Sequence, residues 1–307
     1  MPREIFGPGF AFLPGEDLLR FEEIARVVSA FSRAGVTKVR LTGGEPLLRA
    51  GLPDLVAMIA AVPGIDDIAL TTNGSLLTRH ARALRDAGLR RITVSLDTID
   101  SATFAKMADS EVTLDAVLDG IDAATAAGFG PLKLNAVVRR GWNDSDIEAL
   151  AGFARDHGHT MRFIEYMDVG DTNGWRRGDV VPAREIVDRI GAKWPLEPVA
   201  ASYPGEVADR YRYLDGAGEV GVISSISKPF CGSCTRARLS AIGEVYTCLF
   251  GSRGHDLRAL VRADADDAAL DAAVRNIWTP RADRYSEARA ADTGATLHKV
   301  EMSYIGG

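Results

Sequence analysis

Helical and strand patterns alternate through the first two thirds of the chain. Apolar residues at helical spacing predict helices over 21–34, 52–61, 77–87, 112–127 and 145–157. Short apolar or β-branched runs between them predict strands at 38–42, 67–72, 91–96, 132–138 and 161–166. Strands that alternate with helices predict an α/β fold with a parallel sheet, open or closed into a barrel.

The first predicted helix has no strand ahead of it. The chain opens instead with an irregular segment that contains Gly7, Pro8 and Gly9. A sheet that begins in this way leaves an apolar edge uncovered. We therefore expect an incomplete (β/α) barrel, with residues missing ahead of Met1.

The predicted strands carry polar side chains at alternate positions, which places these side chains on one face of the sheet. They are Lys38, Arg40, Thr42, Thr71, Asn73, Thr93, Ser95, Asp97, Lys133, Asn135 and Arg162. Taking an unpaired Lys or Arg out of water costs several kcal/mol, so the four cations favour an anionic ligand such as a phosphate ester. The alternative is that they point outward or pair with Glu45, Asp97 and Glu165.

Small and polar residues follow each predicted strand, at the end of the sheet where parallel folds bind ligands. The first of these loops reads Gly43-Gly44-Glu45-Pro46. Its glycines allow a ligand to approach the backbone closely, and Glu45 offers a carboxylate to an ammonium group. A tight turn with a capping acid explains the same residues, so the loop alone does not decide between the two.

The pattern loosens beyond about residue 170. A helix at 183–191 and a Pro-containing connection at 195–204 precede predicted strands at 210–213 and 220–226. Runs at 237–240 and 245–249 flank Gly243 as a hairpin, and a helix follows at 265–278. We predict two domains, a partial (β/α) barrel over 1–190 and an α+β domain over 191–307.

Composition narrows the classes of function. Hydrophobic residues make up 46% of the 307, which is enough for a large core. The net charge of -6 argues against a nucleic-acid coat, because such proteins bind phosphates with an excess of Lys and Arg. The sequence contains neither a signal-peptide pattern nor a stretch of roughly 18 apolar residues. We expect a cytoplasmic protein with no nucleic-acid or membrane partner.

The three cysteines of the chain, Cys231, Cys234 and Cys248, lie close together in the sequence. An odd number of cysteines in one short segment of a cytoplasmic protein indicates metal binding rather than disulfides. Structural zinc normally takes four ligands, and His255 is the nearest candidate for the fourth. An iron–sulfur cluster held by three cysteines instead leaves one iron open to another ligand. The spacing alone leaves both kinds of site open.

Arg236 and Arg238 follow the second cysteine at alternate positions of a predicted strand. A structural zinc site needs no nearby cations, whereas a phosphorylated ligand at an open iron is stabilised by them. The two arginines therefore favour an iron–sulfur cluster beside an anionic ligand. The alternative is that they are surface residues of a solvated hairpin.

Seven segments carry a resemblance to a known family: KVRLTGGEPLLR, LTTNGSLL, RRITVSLDTID, RFIEYMDVG, CGSCTRARLS, YTCLF and the terminal MSYIGG. Together they resemble the GTP 3',8-cyclases (MoaA family), radical S-adenosylmethionine enzymes that catalyse the first step of molybdenum cofactor biosynthesis. The resemblance runs from residue 1 to residue 307. It implies a radical-SAM-type barrel without its first strand, capped by a C-terminal domain that carries a [4Fe–4S] cluster.

The resemblance also implies roles for individual residues. Cys231, Cys234 and Cys248 would ligate the C-terminal cluster, whose free iron takes the guanine edge of GTP. The positions that match GTP contacts are Lys38, Arg40, Thr71, Lys133, Arg162, Arg236 and Arg238. Those that match the S-adenosylmethionine site are Gly44, Glu45, Ser95 and Met167. The terminal Gly306 and Gly307 match a tail that enters the active site, and they are the predicted catalytic residues.

One motif of the family is absent. Its members carry CxxxCxxC directly ahead of a Met-Pro dipeptide, and this chain begins at Met1-Pro2. A start codon assigned too late, or a truncation, explains the difference, whereas a genuine loss would leave a GTP-binding pseudoenzyme. We expect the full-length protein to cleave S-adenosylmethionine reductively and to convert GTP to (8S)-3',8-cyclo-7,8-dihydroguanosine 5'-triphosphate. We expect the chain as written to bind nucleotide without turnover.

The resemblance implies two protein partners, an electron donor and the downstream cyclic pyranopterin monophosphate synthase. It leaves the oligomeric state open, a homodimer included. A different class of function also stays open, namely a zinc-stabilised nucleotide-binding barrel with a regulatory role.

Overall fold

The computed structural model describes residues 13–170, 173–203, 205–228, 234–251, 253–263, 266–279, 300–301 and 304. Within these ranges the helices are α1 (Phe21–Arg33), α2 (Leu52–Ala60), α3 (Leu77–Asp86), α4 (Ser101–Ala108), α5 (Leu114–Ala126), α6 (Ile147–Asp156), α7 (Ala183–Lys193), α8 (Arg258–Arg262) and α9 (Asp267–Trp278). The strands are β1 (Lys38–Leu41), β2 (Asp67–Thr72), β3 (Arg91–Ser95), β4 (Lys133–Val138), β5 (Thr160–Glu165), β6 (Leu196–Val199), β7 (Asp209–Tyr213), β8 (Glu219–Ile223), β9 (Arg238–Leu239), β10 (Glu244–Tyr246) and β11 (His255–Asp256). No helix in these ranges combines the length and the apolar character needed to cross a bilayer.

The larger sheet has eight strands in the order β1-β2-β3-β4-β5-β8-β7-β6. Strands β1 to β5 and β8 run parallel to one another, and β7 and β6 are added at the far edge, each antiparallel to the strand before it in the sheet. A smaller antiparallel sheet has the order β11-β10-β9. The fold is thus the predicted α/β arrangement with a parallel sheet, and β9 with β10 forms the predicted hairpin.

The sequence patterns missed two elements of the barrel region, and local chemistry explains both. Helix α4 begins at a cap that the periodicity did not reveal, in which the Asp100 side chain accepts a hydrogen bond from Thr103 N at 2.8 Å. Strand β6 contains Pro198 and was predicted as a connection. It is the last strand of the sheet, and an edge strand tolerates proline because one row of its backbone groups needs no ladder partner.

Two apolar cores meet at helix α1. Val28 packs with the strands and helices of the large sheet. Val27 and Phe31 face the other way, into a second core that includes Val274 on α9. The ring of Phe31 meets that of Trp278 edge to face, with centroids 6.4 Å apart. Helix α1 therefore joins the barrel to the C-terminal helices.

The large sheet continues across residue 190, where the sequence predicted a domain boundary. Strands β6, β7 and β8 all belong to it, and Ile190 shares its core with Val220 and the earlier strands. The elements with a sheet of their own begin at β9. The division into 1–190 and 191–307 remains a prediction.

Candidate active site

The register of the parallel strands brings the predicted polar side chains into rows. Thr71, Thr93 and Lys133 are neighbours in one row, and Asn135 and Arg162 are neighbours in another. Residues paired in this way point to the same side of a sheet. We call this side the cationic face and define it by Lys38, Arg40, Thr71, Thr93, Lys133, Asn135 and Arg162.

Arg40 is oriented by two hydroxyl groups. Its Nη1 donates hydrogen bonds to Thr71 Oγ1 at 2.9 Å and to Thr93 Oγ1 at 3.2 Å. Arg40 is exposed to solvent as a whole residue, while nearby protein atoms partly desolvate its guanidinium. Burial lowers the pKa of Arg40, and the positive charge of Arg91 adds to the effect. The guanidinium is thus held in place by neutral acceptors rather than by a carboxylate.

Lys133 and Arg162 lie in the middle of the cationic face. Burial, together with repulsion from neighbouring guanidinium groups, first that of Arg162, lowers the pKa of Lys133 to about 8. Burial likewise lowers the pKa of Arg162 to about 10, with the charge of Arg40 adding to the shift. Arg162 Nε donates to Asn135 Oδ1 at 2.9 Å. Both shifts reflect clustered positive charge in a partly desolvated space.

The predicted alternative, in which carboxylates neutralise these cations, is not observed. Among the residues that the structure describes, no carboxylate oxygen lies within 4.0 Å of the charged nitrogens of Lys38, Arg40, Lys133 or Arg162. Lys38 Nζ lies instead over the ring of Tyr203, 4.1 Å from its centroid. The cationic face therefore carries a local excess of positive charge in a chain whose net charge is -6.

Sequence reasoning missed other charged residues near this face. Arg91 precedes Thr93 by two positions on β3, so the same periodicity could have found it. It forms a bidentate ion pair with Asp67, and its Nε–Oδ1 distance is 2.9 Å. Tyr203 and Glu206 come from the connection between β6 and β7, which has no periodic signal. Glu206 Oε2 accepts from Ser202 N at 2.7 Å and lies 3.8 Å from the nearest Arg210 nitrogen.

The loop after β1 holds Glu45 in a structural arrangement. Oε1 of Glu45 accepts from Leu47 N at 3.0 Å and from Thr72 Oγ1 at 2.7 Å, and Oε2 accepts from Asn73 N at 2.7 Å. The capping role that the sequence left open is therefore present. A carboxylate has about four acceptor positions, so Oε2 retains one for a ligand. Gly43 has a φ of +144°, which favours glycine at that position.

The remaining predicted S-adenosylmethionine residues follow neighbouring strands of the sheet. Gly44 is exposed beside Glu45, and Ser95 is exposed at the end of β3. Met167 lies two residues beyond β5, where its carbonyl accepts from Asn173 Nδ2 at 2.9 Å. All of them lie at the carboxyl ends of parallel strands, the usual position for ligand contacts in such folds.

Asp97 and Glu165 do not pair with the cations. The Asp97 carboxylate accepts from Val137 N at 2.8 Å, and burial raises the pKa of Asp97 to about 6. Glu165 is fully buried and accepts from Ala183 N and Ile226 N, each at 2.7 Å. Ser227 supplies two further donors to it. Glu165 thus attaches the end of β5 to the segment that leads toward the cysteines.

The described cysteines lie on either side of the β9–β10 hairpin, and their sulfur atoms face hydrogen-bond donors. Arg236 Nε and Nη2 each lie 3.4 Å from Cys234 Sγ. Phe250 N lies 3.5 Å from Cys248 Sγ. Cations and amide donors stabilise thiolates, the form that ligates iron or zinc. Arg238 begins β9, where it pairs in register with Tyr246.

His255 does not join the two described cysteines. No group of three or more His, Cys, Asp or Glu side chains in the described ranges is close enough to hold a metal ion. The Cys–Cys–His grouping that the zinc interpretation requires is therefore not formed by Cys234, Cys248 and His255. Cys231, Gly306 and Gly307 lie outside the described residues, so their predicted roles stay predictions.

Comparison with known proteins identifies the family. The description "Radical SAM superfamily" matches residues 7–154, and "Molybdenum Cofactor Synthesis C" matches residues 159–287. A GTP 3',8-cyclase from Acidothermus cellulolyticus is 63% identical over 331 residues, covering 100% of this chain and 91% of that protein. Another from Xanthomonas campestris is 52% identical over 96% of this chain and 86% of its own length. The chain belongs to the GTP 3',8-cyclase family. The resemblance found in the sequence is confirmed.

A more distant relative, from Staphylococcus haemolyticus, is also named GTP 3',8-cyclase and is 43% identical over 100% of this chain and 91% of its own length. Among solved structures, Streptococcus suis SuiB bound to S-adenosylmethionine superposes with a TM-score of 0.61 at 14% identity, over 90% of this chain and 64% of that one. This likeness shows the fold alone. As a radical SAM family of molybdenum cofactor biosynthesis, the GTP 3',8-cyclases imply a [4Fe–4S] cluster and S-adenosylmethionine as cofactors.

Proposed function

We propose that the cationic face binds the triphosphate of GTP and that the protein acts in the cyclisation of GTP to (8S)-3',8-cyclo-7,8-dihydroguanosine 5'-triphosphate, the first step of molybdopterin biosynthesis. The observation that carries the proposal is the set of four cations, Lys38, Arg40, Lys133 and Arg162, which have no carboxylate partner within 4.0 Å among the residues that the structure describes. A triphosphate would neutralise these partly desolvated cations through charge-assisted hydrogen bonds. The names of the relatives support GTP as the nucleotide.

Each part of the site has a proposed task. Lys38, Arg40, Lys133 and Arg162 would bind phosphate oxygens, with Thr71 orienting Arg40. Cys231, Cys234 and Cys248 would hold the C-terminal [4Fe–4S] cluster, and Arg236 and Arg238 would bind the nucleotide beside it. Gly44, Glu45, Ser95 and Met167 would contact S-adenosylmethionine, and Gly306 and Gly307 would complete the site. When bound, S-adenosylmethionine and its cluster supply the radical chemistry, and the protein supplies orientation and exclusion of water.

The ligand motif of the radical-generating cluster is not present in these 307 residues, whose three cysteines all lie between 231 and 248. We therefore propose that a chain of these residues binds GTP without turning it over. An electron donor and the synthase that consumes the product are the proposed partners of the active protein.

The alternative function is a GTP-binding pseudoenzyme or regulatory protein, stabilised by zinc or by a single cluster. Anaerobic reconstitution with iron and sulfide, followed by a GTP titration, separates the two kinds of metal site. We expect absorbance near 400 nm and about four irons per chain, both characteristic of a cubane cluster, with a spectrum that GTP perturbs. One tightly bound zinc without sulfide would contradict the cluster. A spectrum that inorganic tripolyphosphate and GTP both leave unchanged would contradict the nucleotide site.

A further inference from the structure

The C-terminal segment is hydrogen-bonded to the hairpin that carries Cys248. The Tyr304 hydroxyl donates to Glu244 Oε2 at 3.0 Å. The Tyr246 hydroxyl donates to the same oxygen at 2.8 Å. Glu244 and Tyr246 belong to β10, which ends two residues before Cys248. One carboxylate oxygen therefore receives one hydroxyl from the hairpin and one from the end of the chain.

The surroundings of this oxygen are closely packed. Tyr246 is 4% exposed, and Tyr304 is half-buried. A Cβ atom on Gly254 would lie 2.8 Å both from Glu244 Cβ and from Tyr246 Cζ, so any other residue there would displace the pair. Hydrogen bonds to an ionised carboxylate are stronger than those between neutral groups. The hydrogen bond to Glu244 and the close packing around it therefore both restrain Tyr304.

The same segment also contacts the loop after β5. Gly170 has a φ of +68°, and a Cβ atom there would overlap the Glu301 carboxylate. Tyr304 N donates to Glu301 O at 2.9 Å, so the two contacts belong to one turn of chain. Gly170 follows Met167 by three residues. The turn therefore joins the Cys248 hairpin to the loop that carries a proposed S-adenosylmethionine contact.

We propose that Glu244 is a positioning residue, which holds Tyr304 against the hairpin that carries Cys248 and thereby shields the cluster site. The identity of that site rests on the proposed function. Chain ends are usually poorly ordered unless they are tied down. The hydrogen bond from its hydroxyl to Glu244 ties Tyr304 to the hairpin in this way.

Two tyrosines on one oxygen provide a matched pair of variants. Tyr304→Phe removes the hydroxyl of the C-terminal segment, and Tyr246→Phe removes that of the hairpin. Hydrogen exchange of the peptide 300–307 is measured in the anaerobically reconstituted full chain. Tyr304→Phe and Glu244→Ala should accelerate its exchange about tenfold, the effect of one hydrogen bond to a charged group. Tyr246→Phe should leave that exchange unchanged, and Glu244→Gln should retain most protection because its amide oxygen still accepts.

A second readout separates positioning from folding. Air exposure bleaches iron–sulfur absorbance near 400 nm, and Tyr304→Phe should accelerate that loss while Tyr246→Phe does not. The idea is overturned if the two variants change the exchange of 300–307 equally, if Tyr304→Phe changes nothing, or if it raises exchange without altering the bleaching rate. Wild-type protein that takes up no iron would count against the proposed function. In that case exchange in the metal-free chain still tests the Glu244–Tyr304 contact.

Discussion

The Lys38 ammonium group lies 4.1 Å from the centroid of the Tyr203 ring, and this contact joins the two ends of the eight-stranded sheet. Lys38 is on β1 at one edge, and Tyr203 follows β6 at the other. The sheet is therefore curved enough for its edges to approach each other. This curvature explains why Arg40 on β1 helps to lower the pKa of Arg162, four strands away on β5.

The first prediction concerns the central cation of this face. Lys133→Gln removes one of the four charges of the cationic face and keeps a polar side chain of similar length. We expect the dissociation constant for GTP to rise about 10- to 100-fold, the range for losing a hydrogen bond between charged groups. Isothermal titration calorimetry with the reconstituted protein measures the change.

The control for this variant is Arg82→Gln, which removes one positive charge from a site away from the cationic face. Arg82 is an exposed residue of α3 and forms a surface pair with Asp86 that contributes little to stability. Its affinity for GTP should stay within about twofold of the wild type, since surface charges at a distance are screened by salt. Equal losses for Lys133→Gln and Arg82→Gln would mean that net charge, rather than the cationic face, governs binding.

The second prediction is a pH dependence of binding. The pKa of Lys133 is lowered to about 8 in the ligand-free protein, and a bound triphosphate favours its protonated form. Lys133 is mostly charged below pH 8. Above pH 8 it is mostly neutral and must take up a proton when GTP binds. Affinity for GTP should therefore fall by up to about tenfold per pH unit above pH 8. GTP titrations between pH 7 and pH 9 test this. In Lys133→Gln the affinity should lose the part of its pH dependence that comes from Lys133 and keep only the part that comes from titration of GTP itself.

The fold was predictable where periodicity carries the information. Strands β2 to β5 lie within one residue of the predicted runs, because their apolar faces pack against helices and their polar faces alternate regularly. Strand β6 was not predictable, since its Pro198 is acceptable only at a sheet edge, and the sequence does not reveal which strand is the last. Helix α4 depends on the cap at Asp100, and caps of this kind are common in loops as well.

The candidate site was predictable to the extent that its residues are spaced by two along strands. Lys133 and Arg162 were found in this way, and Arg91 could have been. Tyr203 and Glu206 reach the site from a connection, so only the three-dimensional structure brings Tyr203 over Lys38 and Glu206 close enough to influence Lys133 and Arg162. The partners of buried acids were not predictable either, because backbone N–H groups leave no pattern in a sequence.

The third prediction concerns Asp97, whose pKa burial raises to about 6. The unfolded value is about 3.9, so the folded protein loses stability as the pH rises from about 4 to about 6. Asp97→Asn keeps an oxygen that can accept from Val137 N. It should raise the free energy of unfolding by about 1–2 kcal/mol at pH 7 and change it little at pH 4. Urea titrations at both pH values measure this, with exposed Asp86→Asn as the control; a gain that is the same at pH 4 and pH 7 would contradict the explanation.

The last prediction concerns Glu165, which is fully buried at the end of β5. Its oxygens accept hydrogen bonds from Ala183 N, Ile226 N and Ser227, all of which are donors. Glu165→Gln would point an amide N–H₂ group at some of these donors and leave them unsatisfied. We expect the free energy of unfolding to fall by about 2–4 kcal/mol. Urea denaturation measures this loss, and Glu185→Gln, at a partly exposed residue that pairs with Arg140 on the surface, should change stability by less than about 1 kcal/mol.

The position of Glu165 predicts a second effect of the same variant. Ile226 and Ser227 lead the chain toward Cys231, so freeing them from Glu165 should loosen the approach to the proposed cluster. Iron uptake, measured well below the melting temperature of the variant, should fall in Glu165→Gln and stay normal in Glu185→Gln. Normal iron uptake in a destabilised Glu165→Gln protein would mean that Glu165 stabilises the fold but does not affect the cluster site. Normal iron uptake together with unchanged stability would rule out both the stabilising role and the role at the cluster. If the hydrogen bonds to Glu165 are formed, replacing its buried carboxylate by an amide must cost stability.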